Sequence, residues 1–411
     1  MRRTPHAAAE ALQALEQQQQ RRLRRTVAGY AQTASIAQPL VDGAALLNFC
    51  SNDYLGLARH PKLLEAMQLS LARYGAGSGA AHLVTGHTAE HHALEEELAA
   101  FTGRESALLF STGYMANVGA ISALAERGDL VVQDRLNHAS LLDGALLSGA
   151  RLTRYAHGNA DDAALKLGEA TTERSLLIAT DGVFSMDGDI APLVELAALA
   201  RARAAWLLVD DAHGLGALGA RGGGTLELAG LDADAVPLLV GTLGKAFGCF
   251  GAFVAGERAL IEVIMQRARS YIFTTALPPA VAAAARMSLR LADEEGWRRT
   301  RLQDNVLRFR RHAADRGIAL TASLTAIQPV ILGSAARCVA ASDRLRAAGY
   351  WVAAIRPPTV PPGSERLRIT LSAAHSDDEI DGLVEALAGA LSAAPASPVS
   401  PASPTSQGTR A

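Results

Sequence analysis

The sequence predicts an α/β fold built on a largely parallel sheet with helices on both faces, followed by a smaller C-terminal α/β domain. From residue 107 onward, short apolar runs alternate with helix-length segments, the spacing of repeated strand–helix crossovers. Runs such as Trp206-Leu207-Leu208-Val209 are apolar throughout, as strands buried inside a parallel sheet must be. The composition agrees: 49% apolar side chains, 5% aromatic and 37 glycines suit helices and turns around a buried sheet. With 411 residues the chain exceeds what one core usually serves, so more than one domain is expected. The boundaries read as an N-terminal helical segment and short strand over 1–50, a large domain over 51–285, a small C-terminal domain over 286–392, and a disordered tail over 393–411.

In chain order, residues 5–27 are rich in Ala, Gln and Arg and predict a helix that ends in the basic run 21–25. A short strand is expected at 46–49, then the polar turn Ser51-Asn52-Asp53-Tyr54-Leu55-Gly56. A glycine-rich loop, Tyr74-Gly75-Ala76-Gly77-Ser78-Gly79, precedes a helix over 88–101. Strands follow at 108–111, 130–133, 152–155, 176–179 and 206–209, with helices between them. Pro192 suits the first position of a helix whose leucines at 193, 196 and 199 recur about every turn. Beyond residue 280 the texture turns to Ala, Leu and Arg, with strands at 327–332, 351–355 and 367–370 and a last helix over 377–391. The Pro- and Ser-rich tail has almost no charge and too few apolar side chains to order itself.

Several function classes lose support at once. A formal charge of −2 provides no global field for nucleic acid or an anionic membrane. Cys50, Cys249 and Cys338 form no C-x-x-C pair, so neither a disulfide framework nor a thiolate zinc site is implied. No apolar run reaches the roughly 18 residues of a membrane helix, and the sequence reads as soluble and cytoplasmic. His87-Thr88-Ala89-Glu90-His91 matches the inverted zinc-protease pattern H-x-x-E-H, but no third acidic ligand can be located, so no metal is expected. Gly214-Leu215-Gly216-Ala217-Leu218-Gly219 matches the dinucleotide fingerprint after a strand. Yet Gly222-Gly223-Gly224 follows where a helix should receive the pyrophosphate.

The chemistry collects around Gly241-Thr242-Leu243-Gly244-Lys245-Ala246-Phe247-Gly248, a single lysine between glycines after an apolar strand. Open α/β sheets bind ligands at this carboxyl edge. An amine packed among apolar neighbours loses solvation, which lowers its pKa and makes it a usable nucleophile or base. Asp210 leaves a buried strand and can pair with a pyridinium nitrogen, and His213 can donate to a phenolate oxygen. His138 offers a flat ring at a helix start, and Thr112-Gly113-Tyr114 brings backbone N–H groups to another, a ready anion site. Schiff-base lysine, electron sink and phosphate cup together describe pyridoxal 5'-phosphate, PLP.

The chain resembles the α-oxoamine synthases, fold-type-I PLP enzymes, in five ordered blocks. These are Asn52-Asp53-Tyr54-Leu55-Gly56-Leu57, Gly113-Tyr114-Met115-Ala116-Asn117, Val183-Phe184-Ser185-Met186-Asp187-Gly188-Asp189, Asp210-Asp211-Ala212-His213-Gly214 and Thr242-Leu243-Gly244-Lys245. The resemblance implies the aspartate-aminotransferase-like three-layer α/β/α sandwich and a homodimer with its active site at the interface. It implies PLP on Lys245, Asp210 at the ring nitrogen, Ser185 and His213 on the phenolate side, and His138 stacked on the ring. Gly113, Tyr114 and Thr242 would contact the cofactor, with Thr274 and Thr275 reaching the partner's phosphate. Ala354-Ile355-Arg356-Pro357-Pro358-Thr359 and Arg366-Leu367-Arg368-Ile369-Thr370 are similar to the biotin-pathway branch of that family. That branch condenses L-alanine with a pimeloyl thioester and releases CO2. By the same resemblance Asn52, His138, Arg356 and Thr359 contact substrate, with Arg356 on the amino-acid carboxylate and Arg24 or Arg368 as the alternatives for it. Arg24 is expected at the entrance, with Arg25 as its alternative. Departures from the family are His82, where many members carry Gly or Arg, and Asp181, where Glu is frequent. The glycine- and serine-using branches, a non-catalytic PLP-binding protein and a nicotinamide dehydrogenase stand as alternatives.

Overall fold

A computed structural model of the chain describes residues 5–18, 20–31, 38–168 and 175–392; the tail expected from 393 onward lies outside the described residues. Helix α1 (Pro5–Gln17) is shorter than the sequence predicts, and the basic run 21–25 is irregular. Like charges three and four residues apart would repel one another on a helix. Two of these arginines instead take distant partners: Arg25 pairs with Asp42 at 2.9 Å and Arg22 donates to Thr359 Oγ1 at 3.1 Å. A small sheet of β1 (Val27–Tyr30), β2 (Pro39–Val41) and β3 (Ala44–Ala45) follows. Its tight turn, Asp42-Gly43, takes positive φ at both residues, as a primed hairpin turn requires. Next come β4 (Leu47–Asn48), α2 (Pro61–Tyr74), a π-helical turn (His82–Gly86) and α3 (Ala89–Thr102).

The alternating stretch then delivers β5 (Ser106–Phe110), α4 (Gly113–Leu124), β6 (Leu130–Asp134), α5 (Ala139–Ser148), β7 (Arg151–Tyr155) and α6 (Ala160–Gly168). It continues with β8 (Leu176–Asp181), α7 (Leu193–Ala202), β9 (Trp206–Asp210), α8 (Gly224–Ala229), β10 (Leu238–Thr242) and β11 (Ala252–Gly256). These strands form one sheet in the order β5-β11-β10-β9-β8-β6-β7. Neighbours from β10 through β7 pair in parallel, whereas β11 runs antiparallel to both β10 and β5. Strand β11 escaped the sequence reading because it returns directly from the lysine loop without a crossover helix.

Successive residues of each strand face opposite layers, and both layers are apolar. Leu108, Val131, Leu177, Leu208 and Val254 pack on one side with α4, α5 and α9 (Arg258–Arg267). Leu109, Val132, Ile178, Leu207 and Phe253 pack on the other with α3, α6 and α7. The same side receives α11 (Pro279–Glu294), which follows the single turn α10 (Arg269–Ile272). This is the three-layer α/β/α sandwich.

The C-terminal α/β part comprises α12 (Trp297–Asp315), β12 (Ile327–Ile331), α13 (Ala335–Ala347), β13 (Tyr350–Trp351), β14 (Ala353–Ile355), β15 (Arg366–Thr370) and α14 (Asp377–Ser392). An antiparallel sheet β12-β15-β14 forms its centre, and β13 pairs in parallel with β4, which ties the N-terminal segment to it. Helices α12 and α14 are joined by ion pairs, among them Arg301–Asp377 at 2.6 Å and Arg308–Asp377 at 2.9 Å. Among the described residues, no helix is long and apolar enough to cross a membrane.

Candidate active site

Strands β8, β9 and β10 end side by side, and the groups that follow them meet at the carboxyl edge of the sheet. Gly248 takes φ +62°, and a Cβ there would lie 2.4 Å from the Ala58 backbone nitrogen, so only glycine closes the loop that carries Lys245. The Lys245 amine is pushed down to about 8, first by loss of solvent around it and further by the charge of Arg368, against the pull of Asp210 and Asp181. A pKa this close to neutrality suits an amine to taking up and giving back a proton.

Asp181 and Asp210 are register partners on β8 and β9, two carboxyl groups at neighbouring strand ends. Asp210 accepts from Asn117 Nδ2 at 2.5 Å and from the Ala212 N–H at 3.0 Å. Burial, and then the charge of Asp210, raise the Asp181 pKa well above the usual carboxylate range. Its Oδ2 accepts from the His138 N–H at 2.8 Å. Asp211 points to the other side, where its Oδ2 accepts from the Thr225 N–H at 2.7 Å, and burial lifts it to about 7. Asp210 is thus the carboxylate turned toward the lysine.

His138 caps α5, and its Nδ1 accepts from the Ser140 N–H at 3.3 Å. A backbone N–H can only donate, so Nδ1 is bare and Nε2 carries the proton of the neutral ring. Burial lowers the pKa of the ring, with Asp210 opposing this and Lys245 adding to it. His213 lies with Nδ1 2.6 Å from Tyr54 Oη, and burial together with Lys245 and Arg368 keeps it well below the ordinary histidine range. Both imidazoles are neutral donors at physiological pH.

Thr112 caps α4 by accepting from the Met115 N–H at 3.2 Å. The N–H groups of Gly113 and Tyr114 are left at the helix start, where anions are favoured, and a Cβ built on Gly113 meets open space. Thr242 Oγ1 donates to the Gly251 carbonyl at 3.1 Å and accepts from the Gly244 N–H at 3.2 Å. An anion site, a Schiff-base lysine and a carboxylate at adjoining strand ends are the donor set that PLP requires, and the residues fit it. Thr274 and Thr275 lie in the loop after α10, half-buried and exposed respectively, and are not part of this group.

The substrate-side residues separate into two places. Arg368 is buried, donates from Nε to the Ser185 carbonyl at 2.6 Å, and brings both Nη atoms to 3.3 Å from Asn52 Oδ1. Its charge acts on Lys245, His213 and Tyr54, so its guanidinium belongs to the lysine's surroundings. Arg356 instead donates to the Arg21 carbonyl at 2.8 Å, and its Nε is buried without a partner. It lines a cavity of about 610 Å3 with Arg21, Arg22, Arg25, Arg346 and Thr359. Arg22, and not Arg24, touches Thr359 there. Sequence reasoning held Arg368 only as an alternative for the carboxylate, and quoted Asn117 only within a motif block, with no role of its own. Beyond that block, Asn117 had the signal of an amide among the small and apolar residues of a helix interior.

The H-x-x-E-H match forms part of a histidine group, His82, His87 and His91, whose ligand atoms lie within 4.8 Å of one another. His91 spends both nitrogens within the protein: Nδ1 accepts from the Thr88 N–H at 3.0 Å, and Nε2 reaches the Leu277 carbonyl at 2.7 Å. His82 and His87 face each other at 3.0 Å between Nδ1 atoms. The group braces the start of α3.

Residues 44–387 match the family described as Aminotransferase class I and II. The 8-amino-7-oxononanoate synthase of Methylococcus capsulatus is 63% identical over 352 residues, 86% of this chain and 91% of that protein. A serine palmitoyltransferase from S. paucimobilis, solved with PLP and myriocin bound, superposes with a TM-score of 0.88 at 31% identity, covering 94% of this chain and 96% of that one. An 8-amino-7-oxononanoate synthase from Francisella tularensis gives 0.73 at 32% identity over 84% and 97% of the two chains.

Proposed function

Since the chain belongs to the aminotransferase class I and II family, we propose that it performs the condensation its 63%-identical relative is named for. It joins L-alanine to a pimeloyl thioester, releasing the thiol and CO2, to form 8-amino-7-oxononanoate in the cytoplasmic synthesis of biotin. The single observation that carries the chemistry is the Lys245 amine at the carboxyl edge of the sheet, lowered to about 8 by burial and the nearby Arg368 guanidinium against the opposing pull of Asp210 and Asp181. When bound, PLP supplies an electron sink for the pair released as alanine Cα loses its proton.

The chain's own residues do the rest. Lys245 accepts and returns the Cα proton, which its near-neutral pKa permits. Asp210, fixed by Asn117 and Ala212, would pair with the pyridine nitrogen and favour its protonated form. His138 offers its ring to the cofactor face and its Nε2–H to the thioester carbonyl, whose oxygen gains charge during attack. His213 and Ser185 would hold the phenolate side, and Gly113, Tyr114 and Thr242 would hold the phosphate. Arg368 with Asn52 receives the alanine carboxylate, because this guanidinium, and not that of Arg356, lies in the field of Lys245. Arg356, Arg22 and Thr359 then line the approach of the acyl donor. The active form is a homodimer in which Thr274 and Thr275 reach the partner's phosphate site.

The test is a product panel. Purified protein is supplied with alanine, glycine or serine against pimeloyl-, succinyl- or palmitoyl-CoA, and the products are identified by mass. Alanine with pimeloyl-CoA should yield 8-amino-7-oxononanoate and one CO2 per turnover. A faster serine–palmitoyl reaction would move the protein to the branch of its serine palmitoyltransferase neighbours.

A further inference from the structure

His157 stands outside every role assigned so far, yet it makes two charged contacts. It follows β7, with Nδ1 3.1 Å from Asp134 Oδ1 and Nε2 2.9 Å from Asp189 Oδ2. Its ring meets Phe184 edge-on at 4.4 Å between centroids. A carboxylate at each nitrogen requires both nitrogens to donate, so the ring is an imidazolium. The hydrogen bonds to Asp134 and Asp189 raise its pKa to about 10. Asp134 is itself immobile: its side chain is fully excluded from solvent and also accepts from the Leu136 and Gly158 N–H groups, each at 2.8 Å.

The other end of this contact is a turn, residues 184–189, closed on itself by Phe184 N–H to the Asp189 carbonyl at 3.0 Å and Gly188 N–H to the Phe184 carbonyl at 2.8 Å. The C-terminal sheet grips the turn along its length. Arg368 Nε holds the Ser185 carbonyl at 2.6 Å, and Arg366 holds the Met186 carbonyl at 3.1 Å and the Asp187 carboxylate. Ser323 and Thr325 hydroxyls hold the Gly188 carbonyl at 2.9 and 3.0 Å. The turn is therefore a strap between the two sheets. From the seven-stranded side, the charged anchor of the strap is His157.

We propose that His157 is a positioning residue for the substrate carboxylate: it fixes the strap through Asp189, and the strap fixes Arg368 through the Ser185 carbonyl. This rests on the reading that Arg368 receives the alanine carboxylate. With the anchor cut, the strap follows β15, and the guanidinium loses its fixed aim at the substrate. The expected signature is weaker alanine binding with little change in the chemical step.

The experiment titrates alanine into cofactor-loaded protein by isothermal calorimetry, with turnover measured in parallel. His157→Gln keeps bulk and one hydrogen bond but no charge. It should weaken alanine roughly tenfold, about 1.4 kcal/mol, while kcat stays within about twofold. Asp189→Asn cuts the same link from the strap side, at a residue whose side chain is 39% exposed, and should give the same loss without threatening the fold. The double variant should bind no more weakly than either single one, since both remove one interaction. Wild-type alanine affinity in the Asp189→Asn protein, or additive losses in the double variant, overturns the proposal. Arg368→Ala separates the two levels. If it leaves alanine affinity intact, the carboxylate assignment itself fails. If it abolishes alanine binding while Asp189→Asn does not weaken it, only the role of His157 falls.

Discussion

Lys245 is held in the fold at a cost that depends on pH. Its folded pKa of about 8 lies below the 10.5 of an ordinary lysine, so between those values the unfolded chain binds more protons than the folded one. Stability of the cofactor-free protein therefore rises with pH across that window, and the penalty is full below about 8. Lys245→Met should melt above the wild type near pH 7, and the gap should close as pH passes about 10; thermal scans of both apoproteins measure it. The same variant should lose the yellow colour of the holoprotein entirely. Asp210→Asn should retain the cofactor but lose at least about 100-fold in turnover, about 2.7 kcal/mol. Asp211→Asn, on a carboxylate that faces Thr225 instead, should stay within about tenfold; the two rates compared side by side would show a wrong choice between them. That Lys245, Asp210, His213 and His138 gather at the carboxyl edge of the sheet was legible in the sequence because each follows a recognisable apolar strand. Arg368 stood there only as an alternative for the carboxylate, since Arg366-Leu367-Arg368-Ile369-Thr370 alternates as a strand with one solvated face, and in the fold that charged face is buried. Arg22 lay beyond reading, because a run of arginines without periodicity carries no register.

At the level of elements, helix α4 links local sequence to ligand binding most directly. Thr112 satisfies one orphan donor at its start and leaves the Gly113 and Tyr114 N–H groups for an anion. Thr112→Ala should cost about 1 kcal/mol of stability and weaken retention of PLP, read as faster loss of the visible band on dialysis. Unchanged retention would move the phosphate away from this helix. The strand–helix alternation from β5 to β10 could be read from the sequence because buried parallel strands and their crossovers leave a strong, repeated pattern. The end of α1 could not, because Arg22 and Arg25 are drawn off by Thr359 and Asp42, residues remote or irregular in the sequence pattern. Strand β11 hid in the return from the lysine loop, where five small and apolar residues have no helix to announce them.

For the whole molecule, the proposed dimer makes a prediction that no single protomer can. If Thr275 serves the partner's site, mixing Lys245→Ala with Thr275→Ala subunits rebuilds one intact site in each mixed dimer. Refolding the two inactive or weakened variants together should restore up to about a quarter of wild-type activity, counting mixed dimers as about half the population. No recovery above the parents' own activities would place Thr275 within its own site or outside it.

The single antiparallel strand has a consequence for how the protein is made. Strand β5 has one sheet neighbour, and it is β11, which leaves the ribosome only after the rest of the sheet's strands. Until then a wholly apolar segment, Ala107-Leu108-Leu109-Phe110, has no strand to pair with, although its Leu109 N–H donates to Glu95 of α3. The nascent chain must carry that edge through the synthesis of five further strands, the window in which long-range pairing is slow and association with other chains is fastest. Chains arrested before Ala252 should accordingly be chaperone-bound or aggregated, and chains arrested just beyond Gly256 should be the first to resist protease.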